Sequence, residues 1–334
     1  MQDLREEKVQ TPDLSIIIPS RDCEFASKTV DDIFAKAKGT IEVLIMLDGY
    51  WPDPPLKDHP NLTIVHKGKA LGMRDSINRG VALSKGRYIL KCDDHTSFAE
   101  GFDEILKKDC EENWISIPSR YSLDPIKWER TRGPIQYMYL TFPYDHHELF
   151  GTGFHGAKWH GPKGLEGSYW HLENERRRGP KIDDLMIFQG SCYFMTRKHW
   201  DFIEGLDEEN HYIMYDEAIE LDFKTWLSGG RVIINKNTWY AHLHKGATYK
   251  RDFHLSKRHK IMSEVYNTDY WMNNKWPKQT RPLRWLIEHF SPLDGWPEDW
   301  DDVNKYFETW KHKDLYNELW GKEKQIKIWP RNHI

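Results

Sequence analysis

The sequence predicts an α/β fold, a mostly parallel sheet flanked by helices, followed by a helical, aromatic-rich C-terminal extension. Short β-branched runs alternate with helix-period segments through the first hundred residues, the pattern of right-handed crossovers between parallel strands. Three of those runs end in polar residues, at the carboxyl ends of strands where such sheets bind ligands. The extension rests on the Trp and Tyr side chains of the last third, large aromatics that dominate core burial. With 334 residues the chain makes one large domain or two small ones, since single cores stop growing at roughly 250–300 residues. The expected division is 1–245 for the α/β domain and 246–334 for a lid and helical extension, with 144–181 as a long loop.

The first strand is Leu14-Ser-Ile-Ile-Ile-Pro19, too short and too β-branched for a helix and ended by proline. A helix over 28–37 is stopped by Gly39. Ile41-Glu-Val-Leu-Ile-Met-Leu47 is the second strand, closed by Asp48-Gly49, and completes one βαβ unit. Prolines 52, 54 and 55 mark a loop, Leu62-Thr-Ile-Val65 a third strand, 75–84 a helix, and 87–92 a fourth strand. Residues 144–181 are rich in Gly, His, Trp and Arg without periodicity and read as a functional loop or insertion. Order resumes in the apolar runs 185–188 and 191–195, then an acidic helix over 215–227, a Gly229-Gly230 stop and a strand at 231–234.

Composition narrows the class. At 39% hydrophobic and 30% charged, with no stretch near the ~20 apolar residues of a membrane span, the sequence excludes a transmembrane enzyme. The N-terminal residues lack the apolar core of a secretion signal. Cys23, Cys92, Cys110 and Cys192 have neither metal-ligand nor framework spacing and read as small buried thiols, which implies a reducing, cytoplasmic setting.

Asp93-Asp94-His95, directly after an apolar strand, is the sharpest feature. Carboxylate and imidazole at a strand end can hold a divalent cation that also binds phosphate oxygens. Taken alone, the same tripeptide is equally a surface turn capping the next helix at Thr96 or Ser97.

With its neighbours the motif resembles the family 2 and related family 27 glycosyltransferases, whose nucleotide-sugar domain has the GT-A fold. The opening strand of those enzymes ends as Ile16-Ile-Ile-Pro19-Ser20-Arg21 does, and their second ends in an acidic pair where this chain has Leu47-Asp48-Gly49. Gly72-Met-Arg74-Asp-Ser-Ile-Asn78-Arg-Gly80, then Ala82, Gly86 and Tyr88, follow their pattern up to the metal motif. That motif is usually Asp-x-Asp. The Asp-x-His form here is similar to the polypeptide N-acetylgalactosaminyltransferases, in which both ends ligate manganese. Gly190-Ser191 before Cys192-Tyr-Phe-Met matches the segment lining the donor sugar, Asp216-Glu217-Ala218-Ile-Glu-Leu221 the acidic helix start beside the acceptor, and Trp239-Tyr-Ala-His242 the strand-end histidine of the metal site. The likeness covers 14–242 and is poor over 103–181.

The resemblance implies transfer of a sugar from a nucleotide-diphosphate donor, a UDP sugar first, to a hydroxyl acceptor with Mn2+ or Mg2+. Asp93, His95 and His242 would hold the metal, with His244 a spare. Pro19, Ser20, Arg21 and Asp48 would surround base and ribose, with Arg74, Asn78, Asp94 and Gly190 also on the donor side. Glu217 or Asp216 would be the catalytic acid, because the position of the usual inverting base is Ala218; retention of configuration stays open. Two other classes stay open: a nucleotidyltransferase, which would want a Gly-rich loop after the first strand where 20–25 has no glycine, and a non-catalytic sugar- or nucleic-acid-binding protein.

Charge bears on the acceptor. Residues 151–181 hold six Lys/Arg against three Asp/Glu and 246–284 nine against three, in a chain of net charge −4. The second block reads as a lid over the diphosphate. Both together, with Arg176, Arg177, Arg178 and the aromatics Trp159, Trp170, Tyr249, Trp271 and Trp276, read as a groove for a polyanion, DNA with a hydroxymethylated pyrimidine being the concrete case.

Overall fold

The computed structural model describes residues 11–21, 24–142, 154–158, 179–211, 216–245, 249, 257–293 and 296–301. Strands β1 (Leu14–Ser20), β2 (Ile41–Asp48), β3 (Leu62–Lys67) and β4 (Tyr88–Cys92) pair in parallel in the order β4-β1-β2-β3. Helices α1 (Ala26–Lys36) and α2 (Met73–Leu83) make the crossovers. Helix α2 starts earlier than its apolar period suggests, because Gly72, at φ 96°, turns the chain sharply and the Asp48 carboxylate accepts the backbone N–H of Leu71 (2.7 Å) and Gly72 (3.0 Å).

After β4 come β5 (Thr96–Phe98), α3 (Phe102–Asp109), β6 (Trp114–Asp124), β7 (Glu129–Arg130), and a separate two-stranded sheet of β8 (Met138–Thr141) and β9 (His155–Lys158). Thus Thr96 opens a short strand rather than a capped helix, and part of the expected loop is a strand; most of 144–181 lies outside the described residues. Strands β10 (Ile182–Asp184), β11 (Cys192–Thr196) and β12 (Arg231–His242) complete the main sheet, in the order β10-β12-β6-β11-β4-β1-β2-β3. Strand β11 is antiparallel to both neighbours, whereas β6 and β12 are parallel to each other. The apolar run 185–188 is fully buried but outside the ladder. Its Leu185 N–H goes to the Val232 carbonyl (2.9 Å) and its Phe188 N–H to the Asp222 carboxylate (3.2 Å).

One face of the sheet packs on α1 and α3 through Val30, Ile33, Phe102 and Leu106. The other packs on α2, α4 (Arg197–Phe202) and α5 (Glu217–Leu227), and the same core takes in α6 (Lys257–Met272) and α7 (Leu283–Phe290) through Trp271, Leu286 and Phe290. No helix among the described residues is long and apolar enough to cross a membrane.

Candidate functional site

The strand directions bring the carboxyl ends of β1, β2, β4 and β12 to one sheet edge. Alternation along β4 turns Lys91 to the face of Ile89, so its ammonium is buried at 1% exposure. Lys91 Nζ donates to Asp93 Oδ1 (2.7 Å) and the Gly190 carbonyl (2.5 Å), and lies 3.6 Å from Glu217 Oε1. Burial opposes every charge here. For Lys91 the Asp93 and Glu217 carboxylates outweigh it and raise the ammonium above the usual lysine range. For Asp93 the Lys91 charge and a hydrogen bond from His242 outweigh it, holding the carboxyl well below the carboxylate range. For Glu217 burial wins over Lys91, and its pKa is raised.

Asp93, His95 and His242 each offer one ligand atom, and these atoms lie within 4.8 Å of one another. His242 Nε2 is 3.1 Å and His95 Nε2 4.0 Å from Asp93 Oδ2, with ring centroids of the two histidines 4.7 Å apart and His244 at 5.2 Å from His242. Asp94 Oδ1 takes His95 Nδ1 at 2.7 Å and Ser20 Oγ donates to Asp94 Oδ2 at 2.5 Å, which fixes the His95 ring with Nε2 toward Asp93. Tyr50 shares a hydrogen bond with Ser20. Burial drives the His242 pKa down to about 3, so the imidazole is neutral, the form that ligates. Its buried Nδ1 has no hydrogen-bond partner among the described residues. One carboxylate and two imidazoles, each offering one donor atom within 4.8 Å of the others, are a set that fits a divalent metal.

Beside this group, Glu217 starts α5 and accepts from the Tyr193 hydroxyl (3.0 Å). Asp216, just before it, has a left-handed backbone at φ 55°. Gly190 packs directly on Glu217: a Cβ there would stand 2.6 Å from Oε2. Asp48 receives Lys67 (2.7 Å), with Arg21 at 3.9 Å, and so organises the loop before α2 at the end of β2. Pro19 is half-buried in β1.

The structure therefore gathers Ser20, Asp93, Asp94, His95, Gly190, Glu217 and His242, with Arg21 and Asp48 on the neighbouring strand ends. Arg74 and Asn78 serve differently. Arg74, 2% exposed, pairs with Glu220 and donates to the Asp207 carbonyl (3.1 Å), while Asn78 bonds the Leu206 carbonyl (2.8 Å) and Glu208 (2.7 Å), so both brace the 206–208 loop against α2. Arg176, Arg177, Arg178, Trp159 and Trp170 lie outside the described residues, whereas Trp271 and Trp276, expected in the groove, are buried in the core instead. The sequence pattern does not disclose Lys91, Tyr50 and Tyr193; a lysine inside an apolar strand is the available signal for the first.

The sequence profile described as Glycosyl transferase family 2 matches residues 15–215. The chain belongs to that family. Among solved structures this family 2 chain is similar to the crystal structure of GalNAc-T7 with UDP, GalNAc and Mn2+, at TM-score 0.59 and 12% identity over 86% of this chain and 59% of that one. It thus spans about three fifths of that protein's length, and the likeness shows the fold, that of a GT-A glycosyltransferase. It is also similar to mannosyltransferase PcManGT from Pyrobaculum calidifontis in complex with GDP-Man and Mn2+ (TM-score 0.45, 12% identity, 78% of this chain, 70% of that one). TarS 1-349 of S. aureus in complex with UDP-GlcNAc is a third (TM-score 0.48, 9% identity, 79% and 68%). No curated protein sequence matches this family 2 chain.

Proposed function

We propose that the chain transfers a sugar from a nucleotide-diphosphate donor, a UDP sugar first, to a hydroxyl acceptor, with Asp93, His95 and His242 holding Mn2+. The observation that carries this reading is one buried constellation in which a three-ligand metal group and the Glu217 carboxylate share the Lys91 ammonium at the carboxyl edge of the sheet. Two imidazoles favour a first-row transition ion over the harder Mg2+. When bound, the metal neutralises charge on the departing diphosphate. The chain's own residues do the rest. Lys91 keeps Asp93 ionised, Asp94 and Ser20 orient His95, and Pro19, Ser20, Arg21 and Asp48 border the base and ribose. Gly190 leaves room for the donor sugar beside Glu217. Burial raises the Glu217 pKa, which makes its carboxylate a stronger base toward the acceptor hydroxyl, with Asp216 the adjacent alternative. The start of 246–334 serves as the donor lid: Tyr249 packs edge-on against Phe25 in the loop after β1, ring centroids 5.4 Å apart. The free thiols of Cys92 and Cys192, directly opposite each other on β4 and β11, support a reducing, cytoplasmic setting. For the acceptor, the two basic segments support a polyanion, DNA with a hydroxymethylated pyrimidine being the concrete case.

Calorimetry with UDP and Mn2+ tests the metal group. Asp93→Ala, His95→Ala and His242→Ala each abolish metal-dependent binding while the chain still melts cooperatively; unchanged affinity in all three overturns the assignment. Glu217→Gln lowers kcat by about 10²–10⁴-fold and leaves UDP affinity intact, and NMR of the product anomer decides inversion or retention. A Glu217→Gln variant with full kcat removes Glu217 from the chemistry.

A further inference from the structure

Strands β6, β7 and β12, with the chain at 179–181, enclose a cleft of about 360 Å³. Arg130, Lys181 and Lys236 line it, and among the described residues no carboxylate does. In a chain of net charge −4 this is a local reversal of sign. Arg130, exposed on β7, rests against two aromatic rings that meet edge-on, its Cζ 4.8 Å from the Tyr121 ring and 4.7 Å from the Trp239 ring. A guanidinium resting on aromatic rings keeps its charge and its N–H fork, which an oxyanion can engage. Thr238, on the same wall, is 2% exposed, and its hydroxyl has no hydrogen-bond partner among the described residues. A buried hydroxyl left without a partner destabilises the fold unless something else supplies the bond. Three cations around one cleft match a ligand with several charged oxygens arranged around one centre.

Trp239 precedes His242 by three residues of one strand, about 10 Å along it at about 3.3 Å per residue, and the odd spacing turns the two side chains to opposite faces at the end of β12. The diphosphate held at Asp93, His95 and His242 therefore cannot fill both places, whereas an extended acceptor passing over the end of β12 reaches both.

We infer that this cleft binds a phosphate group of the acceptor, making the acceptor a phosphodiester polymer. That the phosphate belongs to an acceptor rests on the transferase reading; anion binding in the cleft does not. The test uses the full chain, a labelled single-stranded thymidine oligonucleotide followed by fluorescence polarisation at several salt concentrations, and inorganic phosphate followed by calorimetry. Combining Arg130→Gln, Lys181→Gln and Lys236→Gln weakens oligonucleotide binding about tenfold or more and lowers the slope of log K against log salt by about two, as expected for three lost single-strand phosphate contacts. Lys198→Gln, an exposed cation on α4 paired with Glu112, leaves both unchanged. Should the triple variant fail to fold, Arg130→Gln alone, at an exposed position, carries the test with a smaller loss in the same direction. Phosphate binding that depends on Arg130, without oligonucleotide binding, keeps the phosphate site and overturns its assignment to a polymer. Equal binding by wild type and variant, or none by wild type to either probe, overturns the inference. UDP and GDP binding with Mn2+ are measured in parallel, and absence of both in the wild type would overturn the nucleotide-donor reading alone.

Discussion

At the scale of single residues, buried charges differ in whether each has a partner. Glu220 is held ionised, Lys224 and Arg74 outweighing its burial and keeping its pKa below the carboxylate range. Asp222, one helical turn past the site and 0% exposed, has no such help. It accepts the Phe188 N–H, its Oδ1 has no partner among the described residues, and burial raises its pKa well above normal. A raised folded pKa means that the native state holds the proton more tightly than the unfolded chain. The stability this confers is present in full below the unfolded value near 4 and is lost as pH rises through the folded one. Asp222→Asn keeps an acceptor for Phe188 and has no charge to bury. It should therefore be more stable than wild type at pH 8 by about 1–3 kcal/mol, with the two converging near pH 4. Melting temperatures across that range check this; parallel curves would show that Asp222 is not the buried proton.

At the scale of elements, the site depends on how closely the 189–191 loop approaches α5. Glycine is required at 190 because of proximity: a Cβ would sit 2.6 Å from the Glu217 carboxylate. Gly190→Ala must push that carboxylate away from Lys91 and Tyr193, and a displacement of about 1 Å at a catalytic group can lower kcat about 100-fold. Adding Glu217→Asp, one methylene shorter, should recover part of the loss. Kinetics of the single and double variants measure this, and equal kcat in wild type and Gly190→Ala would remove the contact from the mechanism. The elements differ in how far the sequence discloses them. Strands β1, β2 and β4 are buried on both faces, so their apolar runs are continuous and legible. Strand β6 is equally central but carries Pro118 and the buried polar residues Ser116, Ser119 and Arg120, so no β pattern shows. The run 185–188 errs in the opposite sense, apolar and buried yet bonded to Val232 and Asp222 rather than to a ladder. In the site, Asp93, His95 and His242 are legible because motif order alone places them at strand ends. The roles of Lys91 and Tyr193 depend on which way a strand turns its side chains inward, and the arrest of Arg74 and Asn78 on the 206–208 loop depends on a tertiary contact that no local pattern contains.

At the scale of the whole molecule, the C-terminal helices share the core of the sheet domain. Trp271, 1% exposed, meets Phe223 of α5 edge-on with ring centroids 5.2 Å apart and donates to Asn267 (2.6 Å). The backbone N–H groups of Thr280 (2.8 Å) and Arg281 (3.0 Å) both end on the Leu227 carbonyl at the last turn of α5. Helix α5 thus carries Glu217 at one end and the anchor of the C-terminal segment along its length, so the segment cannot detach without exposing Phe223 and Trp226. Trp271→Ala should destabilise the chain by about 3–5 kcal/mol, and it should do so in a single transition, because the cavity opens inside the shared core. Near-ultraviolet and far-ultraviolet circular dichroism should report the same lowered midpoint, and UDP with Mn2+, which on the proposed reading binds the native state, should raise that same midpoint in both wild type and variant. A variant in which an early transition belongs to the C-terminal helices, while the UDP-responsive transition stays at the wild-type midpoint, would show two separable units instead.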